Sequence, residues 1–174
     1  MPLDDPEGGI SLAVEYFRDQ LAACARFQTL CNVDTSELAR ARTWANNLPP
    51  PADDAGVFSR DELVSFRPFA LVWSERYRRN RVGTGCYAEG GTIHMQLEQS
   101  VPEALANDPQ QLLRRFENDL GVIISELETL AYTAGYLAYD TLEMQGPWRE
   151  DINAIPQQGD HVFAFLTLEW GTGE

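Results

Sequence analysis

One long segment, residues 109–134, constrains the fold of this chain more than any other feature of its sequence. Its apolar residues recur mostly at steps of three or four, which is the spacing of one face of an α-helix. They are Leu113, Phe116, Leu120, Ile123, Leu127, Leu130 and Ala134. Asp108 and Pro109 form a preferred helix start, and Gly135 is a typical stop. Such a helix would be about 39 Å long, so we expect it to lie across a whole sheet as the main core element.

Two further helices are predicted before any strand. From Ser11 as the N-cap, one apolar face continues at helical spacing to Cys31. Asp34 begins a second helix-start pattern, and the spacing that follows predicts a shorter helix over 35–48. Pro49 would end this helix, because proline cannot continue the backbone hydrogen bonding.

Four strands are predicted after these helices. Residues 69–77 are rich in aromatic and β-favouring side chains, and residues 92–101 alternate between apolar and polar. The stretch between them, 78–86, is polar and contains glycine, so the two strands should form a long antiparallel hairpin with a flexible tip. Residues 136–144 and 161–170 predict two closing strands, joined by a loop that contains two prolines.

These elements predict an α+β fold with the order α-α-β-β-α-β-β. We expect a mostly antiparallel four-stranded sheet with a long hairpin, packed against an N-terminal helix and one long central helix. With 174 residues the chain is within the usual size of one domain, so we read residues 1–174 as a single domain. Residues 1–9 predict a flexible N-terminal arm, and residues 49–60 an internal linker.

The charge of the chain excludes several classes of partner. Its formal net charge is −14, and all 13 basic residues are arginine. Proteins that wrap DNA or dock on anionic membranes need clustered basic charge, so neither activity is expected. No apolar run approaches the roughly 20 residues that span a bilayer, and the acidic start is unlike a signal peptide. We therefore expect a soluble protein that is not exported.

The three cysteines form no evident disulfide framework. Cys24 and Cys31 would lie about two turns, or ~10 Å, apart on the first helix, beyond the reach of a disulfide. Cys86 has no evident partner. This usage fits a reducing cytoplasm, and we expect the thiols to be small buried hydrophobic groups.

Residue types that carry catalysis occur here without the spacing that catalysis requires. His94 and His161 stand in no zinc-binding arrangement, and we expect both side chains to be solvated. No serine lies in a G-x-S-x-G context and no cysteine has a convincing histidine partner. Neighbouring carboxylates are expected to be solvated charge runs; the pairs are Asp53-Asp54, Asp61-Glu62 and Glu150-Asp151. We therefore expect no catalytic residue, no metal and no cofactor.

The glycines of the middle region favour a turn over a nucleotide site. Gly83 and Gly85, with Gly90 and Gly91 downstream, lead into a strand. A dinucleotide-binding loop would instead follow a strand and open a helix, whose N-terminus binds phosphate. We interpret the glycines as part of the hairpin tip.

The most unusual feature of the charge pattern is a cluster of arginines in an otherwise acidic chain. Arg76, Arg78, Arg79 and Arg81 place four of the 13 basic residues within six positions. Chance clustering on a solvated hairpin is one interpretation. The functional one is binding to an acidic surface on an adjacent copy or on another protein, since opposite charges steer and register neighbouring subunits. DNA is the less favoured target.

The layout of helix, hairpin, long helix and two closing strands resembles that of bacteriophage tail terminator proteins, also called tail completion proteins. The resemblance covers nearly the whole chain. Residues 116–139 carry it most clearly, followed by a proline-containing loop and the strand end Leu168-Glu169-Trp170. The predicted helix over 35–48 and the proline-rich linker look like additions to the minimal pattern.

This resemblance implies a virion structural protein that is assembled in the host cytoplasm. It implies a ring, commonly hexameric, that caps the finished tail tube, ends its polymerisation and joins the tail to the head. The partners would be other copies of the chain, the tail tube protein, and the head connector and neck proteins. DNA would pass through the lumen without specific binding, which is compatible with an acidic subunit.

Other classes of protein remain open from the sequence. A head-to-tail adaptor, or another neck protein of the same virion, would share the small size, the acidity and the absence of catalytic patterns. A small-molecule enzyme would need a pocket with perturbed titratable groups. A cellular binding module is a fourth class.

Overall fold

A five-stranded mixed sheet and five α-helices make up the part of the chain that this computed structural model describes, residues 9–51, 58–84, 86–134, 138–150 and 160–171. The helices are α1 (Gly9–Ala23), α2 (Ala25–Leu30), α3 (Ser36–Arg40), α4 (Arg60–Phe66) and α5 (Pro109–Ala134). The strands are β1 (Thr43–Ala45), β2 (Phe69–Gly83), β3 (Cys86–Ser100), β4 (Ala138–Glu150) and β5 (His161–Gly171). A short 3-10 helix, Glu103–Leu105, precedes α5. The predicted α+β class is confirmed.

The sheet differs from the prediction in having a fifth strand. Its order is β1-β2-β3-β5-β4, with β1 parallel to β2 and every other pair antiparallel. The predicted helix over 35–48 was wrong beyond Arg40, because the chain leaves α3 and pairs with β2 from Thr43 to Ala45. The Thr43 side chain is buried and Trp44 packs edge-on against Phe69. Burial on the sheet therefore outweighs helical spacing in this short segment.

The first predicted helix is present but broken at Cys24, whose backbone is extended. The break does not disturb the apolar face, since Phe17, Leu21 and Phe27 are all fully buried. Glu126 of α5 explains why a new helix begins here: its carboxylate accepts a hydrogen bond of 3.0 Å from the Arg26 amide in the first turn of α2. An anionic side chain at a helix N-terminus is stabilising.

The long central helix is confirmed as α5, with the predicted bounds. The Asp108 carboxylate accepts a hydrogen bond of 3.0 Å from the Gln111 amide, as expected of an N-cap. With α1 and α2, this helix covers one face of the sheet and forms a single core. Buried members of that core include Phe17, Phe27, Phe116, Leu120, Ile123, Met95, Leu97, Leu166 and Leu168.

The hairpin of β2 and β3 is longer than predicted. Its strands run to Gly83 and from Cys86, so most of the expected tip is regular antiparallel ladder. Gly90 and Gly91 lie inside β3 and not at the tip, which corrects their interpretation as turn residues. The last pair between β3 and β5 is Gly90↔Gly171. Beyond it β3 continues from Gly90 back to Cys86 without a β5 partner, which is about 13 Å at a rise of about 3.3 Å per residue.

The second closing strand has nearly the predicted bounds, whereas β4 continues to Glu150 through residues expected in a loop. A register shift between Gln145 and Trp148 accommodates Gly146, whose φ is +99°. The ladder resumes with Trp148 opposite Phe163.

Several predicted features fall partly outside the described residues. Of the expected arm 1–9, the structure describes Gly9, which begins α1. Of the expected linker 49–60, residues 52–57 are not described, and Ser59 caps α4 through a reciprocal pair of hydrogen bonds with Glu62. The predicted stop at Gly135 and the carboxylates Asp53, Asp54 and Asp151 also lie outside the described residues.

Within the described residues, no helix combines the length and the apolar character needed to cross a membrane.

Both cysteines of the N-terminal region are buried, as predicted. Burial raises the pKa of the Cys24 thiol to about 12, and the nearby Glu126 carboxylate acts in the same direction. Burial likewise raises the pKa of Cys31 to about 12, opposed by the Arg42 charge. These thiols therefore remain protonated in the folded state at a pH where an unfolded thiol, with a pKa near 9, ionises.

This difference predicts that the two thiols make stability fall as pH rises above 9. The folded state binds protons that the unfolded state loses, so their contribution is complete below pH 9 and is lost between pH 9 and about 12. We expect the double variant Cys24→Ala, Cys31→Ala to lose stability less steeply than wild type from pH 8.5 to 10.5. Urea unfolding along this series measures the slope, and parallel slopes would contradict the prediction.

Candidate protein-interaction surfaces

The β2–β3 hairpin carries all four arginines of the predicted cluster. Arg76 and Arg78 lie in rows that β5 still joins, and Arg79 and Arg81 lie beyond the last pair with β5. We call residues 76–84 and 86–92 the arginine ribbon. The four arginines are exposed, and Arg79 forms an ion pair of 3.4 Å with Glu89 on the opposite strand. Arg81 donates from Nε to the Gly83 carbonyl at 3.2 Å. Among the described residues, Arg76 and Arg78 have no ion-pair partner.

A bulge divides these arginines between the two faces of the ribbon. The register shifts between Ser74 and Arg76, so that Glu75 is the extra residue on β2. Arg76 then lies opposite Thr92 and Arg78 opposite Gly90, on the sheet face that the main helices leave uncovered. Arg79 and Arg81 lie on the other face, because successive side chains of a strand alternate. The sequence predicted one cluster; the structure places two arginines on each face.

The second face of the sheet carries a continuous group of aromatic rings, which we call the aromatic face. Its members are Trp73, His94, Trp148, Phe163 and Phe165. Ring centroids lie 5.4 Å apart for Trp73 and His94 and 5.5 Å apart for Trp148 and Phe163. Phe165 joins the two halves, at 6.4 Å from Trp73 and 6.0 Å from Trp148. The rings therefore form one surface across four strands.

This surface is accessible. Trp148 is 43% exposed, and Trp73, Phe163 and Phe165 are partly exposed. The β1 edge of the sheet is covered instead: there Phe66 of α4 packs on Trp44, and Phe69 is buried. Clustered, accessible aromatic rings on a sheet face are typical of a surface that binds another molecule.

Carboxylates border the aromatic face. Glu143 on β4 lies opposite Thr167, and Glu169 lies two residues from Thr167 along β5. Glu75 extends from the bulge, and its carboxylate is 2.5 Å from His94 Nε2. The face therefore combines aromatic rings with negative charge.

His94 is less solvated than predicted. Its Nδ1 lies 3.0 Å from the Thr167 hydroxyl and its ring stacks on Trp73, with only 19% of the side chain exposed. The prediction of a solvated His161 was wrong, because that side chain is buried beside Phe163. Both histidines thus help to build the face, since a ring can fill space between aromatic neighbours while its nitrogens bond to polar groups.

A buried ion pair holds the end of the aromatic face nearest to α4. Arg67 Nε donates to Glu98 Oε2 at 3.0 Å, and only 2% of the Arg67 side chain is exposed. Gln96 Nε2 donates to the other Glu98 oxygen at 2.6 Å. Glu98 therefore links the residue that follows α4 to the C-terminal part of β3.

A separate groove of about 590 Å³ lies on the helix layer, between α5 and the junction of α1 and α2. Small and apolar residues such as Ala25, Gly121 and Val122 line much of it. Cys24 also lines this groove, and the raised pKa of its thiol keeps the sulfur protonated near neutral pH, which makes it a poor nucleophile. Within the described residues, no three metal-ligating side chains lie together.

Sequence reasoning found the arginines and missed the aromatic face. A signal was present in β5, where Phe163 and Phe165 alternate with Ala164 and Leu166, so that both faces of the strand are apolar. One face of such a strand packs on the helices, and the other needs a second explanation. Trp73 and Trp148 gave no comparable signal, because only the sheet register brings them together.

No model of a known protein family matches this sequence, and a search of curated proteins finds no significantly similar chain. The function is therefore inferred from the geometry of these surfaces and from the layout of the fold.

Proposed function

We propose that this chain is a structural subunit of a bacteriophage tail that assembles into a ring. The ring caps the tail tube, ends its polymerisation and presents a surface to the head. The observation that carries the proposal is the arginine ribbon: a positively charged hairpin end, whose tip projects beyond β5, on a subunit whose net charge is −14. Exposed arginines at the end of a hairpin bury little surface in the core of their own subunit. We therefore expect them to contact another molecule.

The order of the main elements supports the same proposal. Helix α1, the β2–β3 hairpin, helix α5 and the closing strands β4 and β5 follow the layout that suggested a tail terminator. The short α3, β1 and α4 lie between the first helix and the hairpin. They are additions at one edge of the sheet and leave that layout intact.

The separation of the two surfaces favours a ring. The arginine ribbon extends past β5 at one end of the sheet, whereas Trp148 and Phe163 of the aromatic face lie six residues along β5 from the row of Arg76. Contacts between unlike surfaces join subunits head to tail, and they form a ring when the rotation between neighbours closes. Acidic subunits around a pore would repel the phosphates of DNA, so that a duplex would pass without binding.

The proposal predicts a closed ring in solution or on the tube. We expect native mass spectrometry to show one discrete oligomer, and negative-stain images to show a pore wide enough for a DNA duplex, since the duplex would pass through the lumen. Added in excess to its polymerising cognate tube protein, the chain should bind tube ends and limit tube length.

Tube protein alone is the control for this assay. A chain that forms no oligomer, with or without tubes, and leaves tube length unchanged would contradict the proposal. A ring that binds portal-side proteins but leaves tube length unchanged would identify a head-to-tail adaptor instead.

A further inference from the structure

We propose that the aromatic face of one copy receives the arginine ribbon of a second copy of this chain. This inference rests on the proposed function to the extent that both require self-association. It goes further by naming the two surfaces that meet and the chemistry between them.

The first support is the match between the groups on the two surfaces. Guanidinium groups stack on tryptophan and other aromatic rings and pair with carboxylates in charged hydrogen bonds. The aromatic face offers both kinds of partner, with Trp148 exposed and with Glu143 and Glu169 beside the rings. The ribbon offers Arg76 and Arg78, which have no ion pair among the described residues.

The second support is the spacing of these groups. Arg76 and Arg78 are two residues apart on one strand face, or about 6.7 Å. Side chains on the aromatic face have the same spacing along their strands. Glu143 and Gln145 on β4, and Thr167 and Phe165 opposite them on β5, are likewise two residues apart. Two strands that pack face to face can therefore bring an arginine opposite each row.

The third support is that a chain cannot bring its own Arg76 to Trp148, the exposed ring of the aromatic face. Arg76 lies in the register row of Glu169, whereas Trp148 lies in the row of Phe163, six residues farther along β5. This separation is about 20 Å along the sheet, which exceeds the length of an arginine side chain. An arginine that stacks on Trp148 in this contact must therefore come from another molecule.

Charge reversal in two variants tests the inference. The first variant is Arg76→Glu, Arg78→Glu, and the second is Glu143→Arg, Glu169→Arg. We expect each variant alone to show an apparent dissociation constant for self-association raised by about 100-fold, since like charges would face each other. Arg114→Glu, Arg115→Glu and Glu117→Arg, Glu128→Arg are matched controls, because they make the same charge changes at exposed positions of α5.

Mixing the two reversed variants is the decisive measurement. In a 1:1 mixture, each ribbon meets a face of opposite charge: the glutamate ribbon meets the arginine face, and the unaltered ribbon meets the unaltered face. We expect assembly to be restored, and native mass spectrometry to show oligomers that contain equal numbers of the two variants. General damage to folding would not be repaired by mixing two damaged chains.

The aromatic part of the contact has its own test. Trp148→Ala should weaken self-association about tenfold, the size of one cation–π contact of about 1.4 kcal/mol. Val122→Ala, which truncates another exposed apolar side chain on the helix layer, should have no effect.

The outcomes separate this inference from the proposed function. If wild type forms a ring and both reversed variants assemble like the controls, the inference is overturned and the proposed ring stands. If each variant fails alone and the mixture also fails, the inference is overturned as well. A wild-type chain that stays monomeric with and without tubes overturns both.

Discussion

Replacing Glu98 by alanine should lower the free energy of unfolding by about 3–5 kcal/mol, the range for removing one partner of a buried ion pair. Arg67 is almost completely buried, and its Nε donates to Glu98 Oε2 at 3.0 Å. Alanine would leave the guanidinium charge in the protein interior without this carboxylate. Gln96 would lose its hydrogen bond to the same group. Urea or guanidinium unfolding of the purified variant measures the change.

The control for this experiment is Asp19→Ala. Asp19 also pairs with an arginine, at 2.5 Å from Arg40, but its side chain is 66% exposed. Solvent screens an exposed pair, so this variant should lose at most about 1 kcal/mol. The double variant Arg67→Met, Glu98→Leu should recover much of the lost stability, because apolar side chains of similar volume can replace a buried pair. Equal losses in Asp19→Ala and Glu98→Ala would show that burial of the pair is unimportant.

Replacing Gly91 by alanine is the second change for which we expect a large effect. A Cβ at this position would lie 2.1 Å from the Arg76 carbonyl oxygen and 3.2 Å from the Trp170 indole nitrogen. The bulge at Glu75 brings the β2 backbone against β3 at this point. Since the first of these contacts is backbone, the two strands would have to separate, at a cost of about 3 kcal/mol. Thermal and urea unfolding should both show the loss.

Gly121→Ala is the matched control for the glycine substitution. A Cβ at Gly121 would meet no atom within 4 Å, and the residue lies in the middle of α5. Alanine there should raise stability by about 0.5–1 kcal/mol, because glycine has the greater conformational entropy to lose on helix formation. A Gly91→Ala variant as stable as wild type would refute the close contact between β2 and β3.

The two candidate surfaces differ in how far the sequence could predict them. The arginines are close together along the chain, so local sequence alone reveals their cluster. Their division between two faces could not be predicted, because it depends on a single extra residue in β2. The aromatic face combines residues from four strands, and Trp73 and Trp148 are 75 positions apart in the chain. Only the register of the sheet brings these rings together.

Strong local patterns determined several elements without help from tertiary structure. The spacing of apolar residues in α5, its Asp108 cap and the alternation around Ile93 and Met95 are properties of single segments. A helix or strand whose buried face repeats over many residues has few competing structures. The α+β class, the central helix, the hairpin and the two closing strands could therefore be predicted from the sequence.

Tertiary structure decided the features whose free energy comes from distant partners. Residues 43–45 are a strand because β2 offers an edge and Trp44 packs on Phe69, although their local spacing suits a helix. The break at Cys24 is stabilised by Glu126, which is about 100 residues away in the chain. The aromatic face depends on the ladder between β3, β5 and β4. Such contacts leave weak traces in local sequence, because the residues that make them become neighbours only when the sheet has formed.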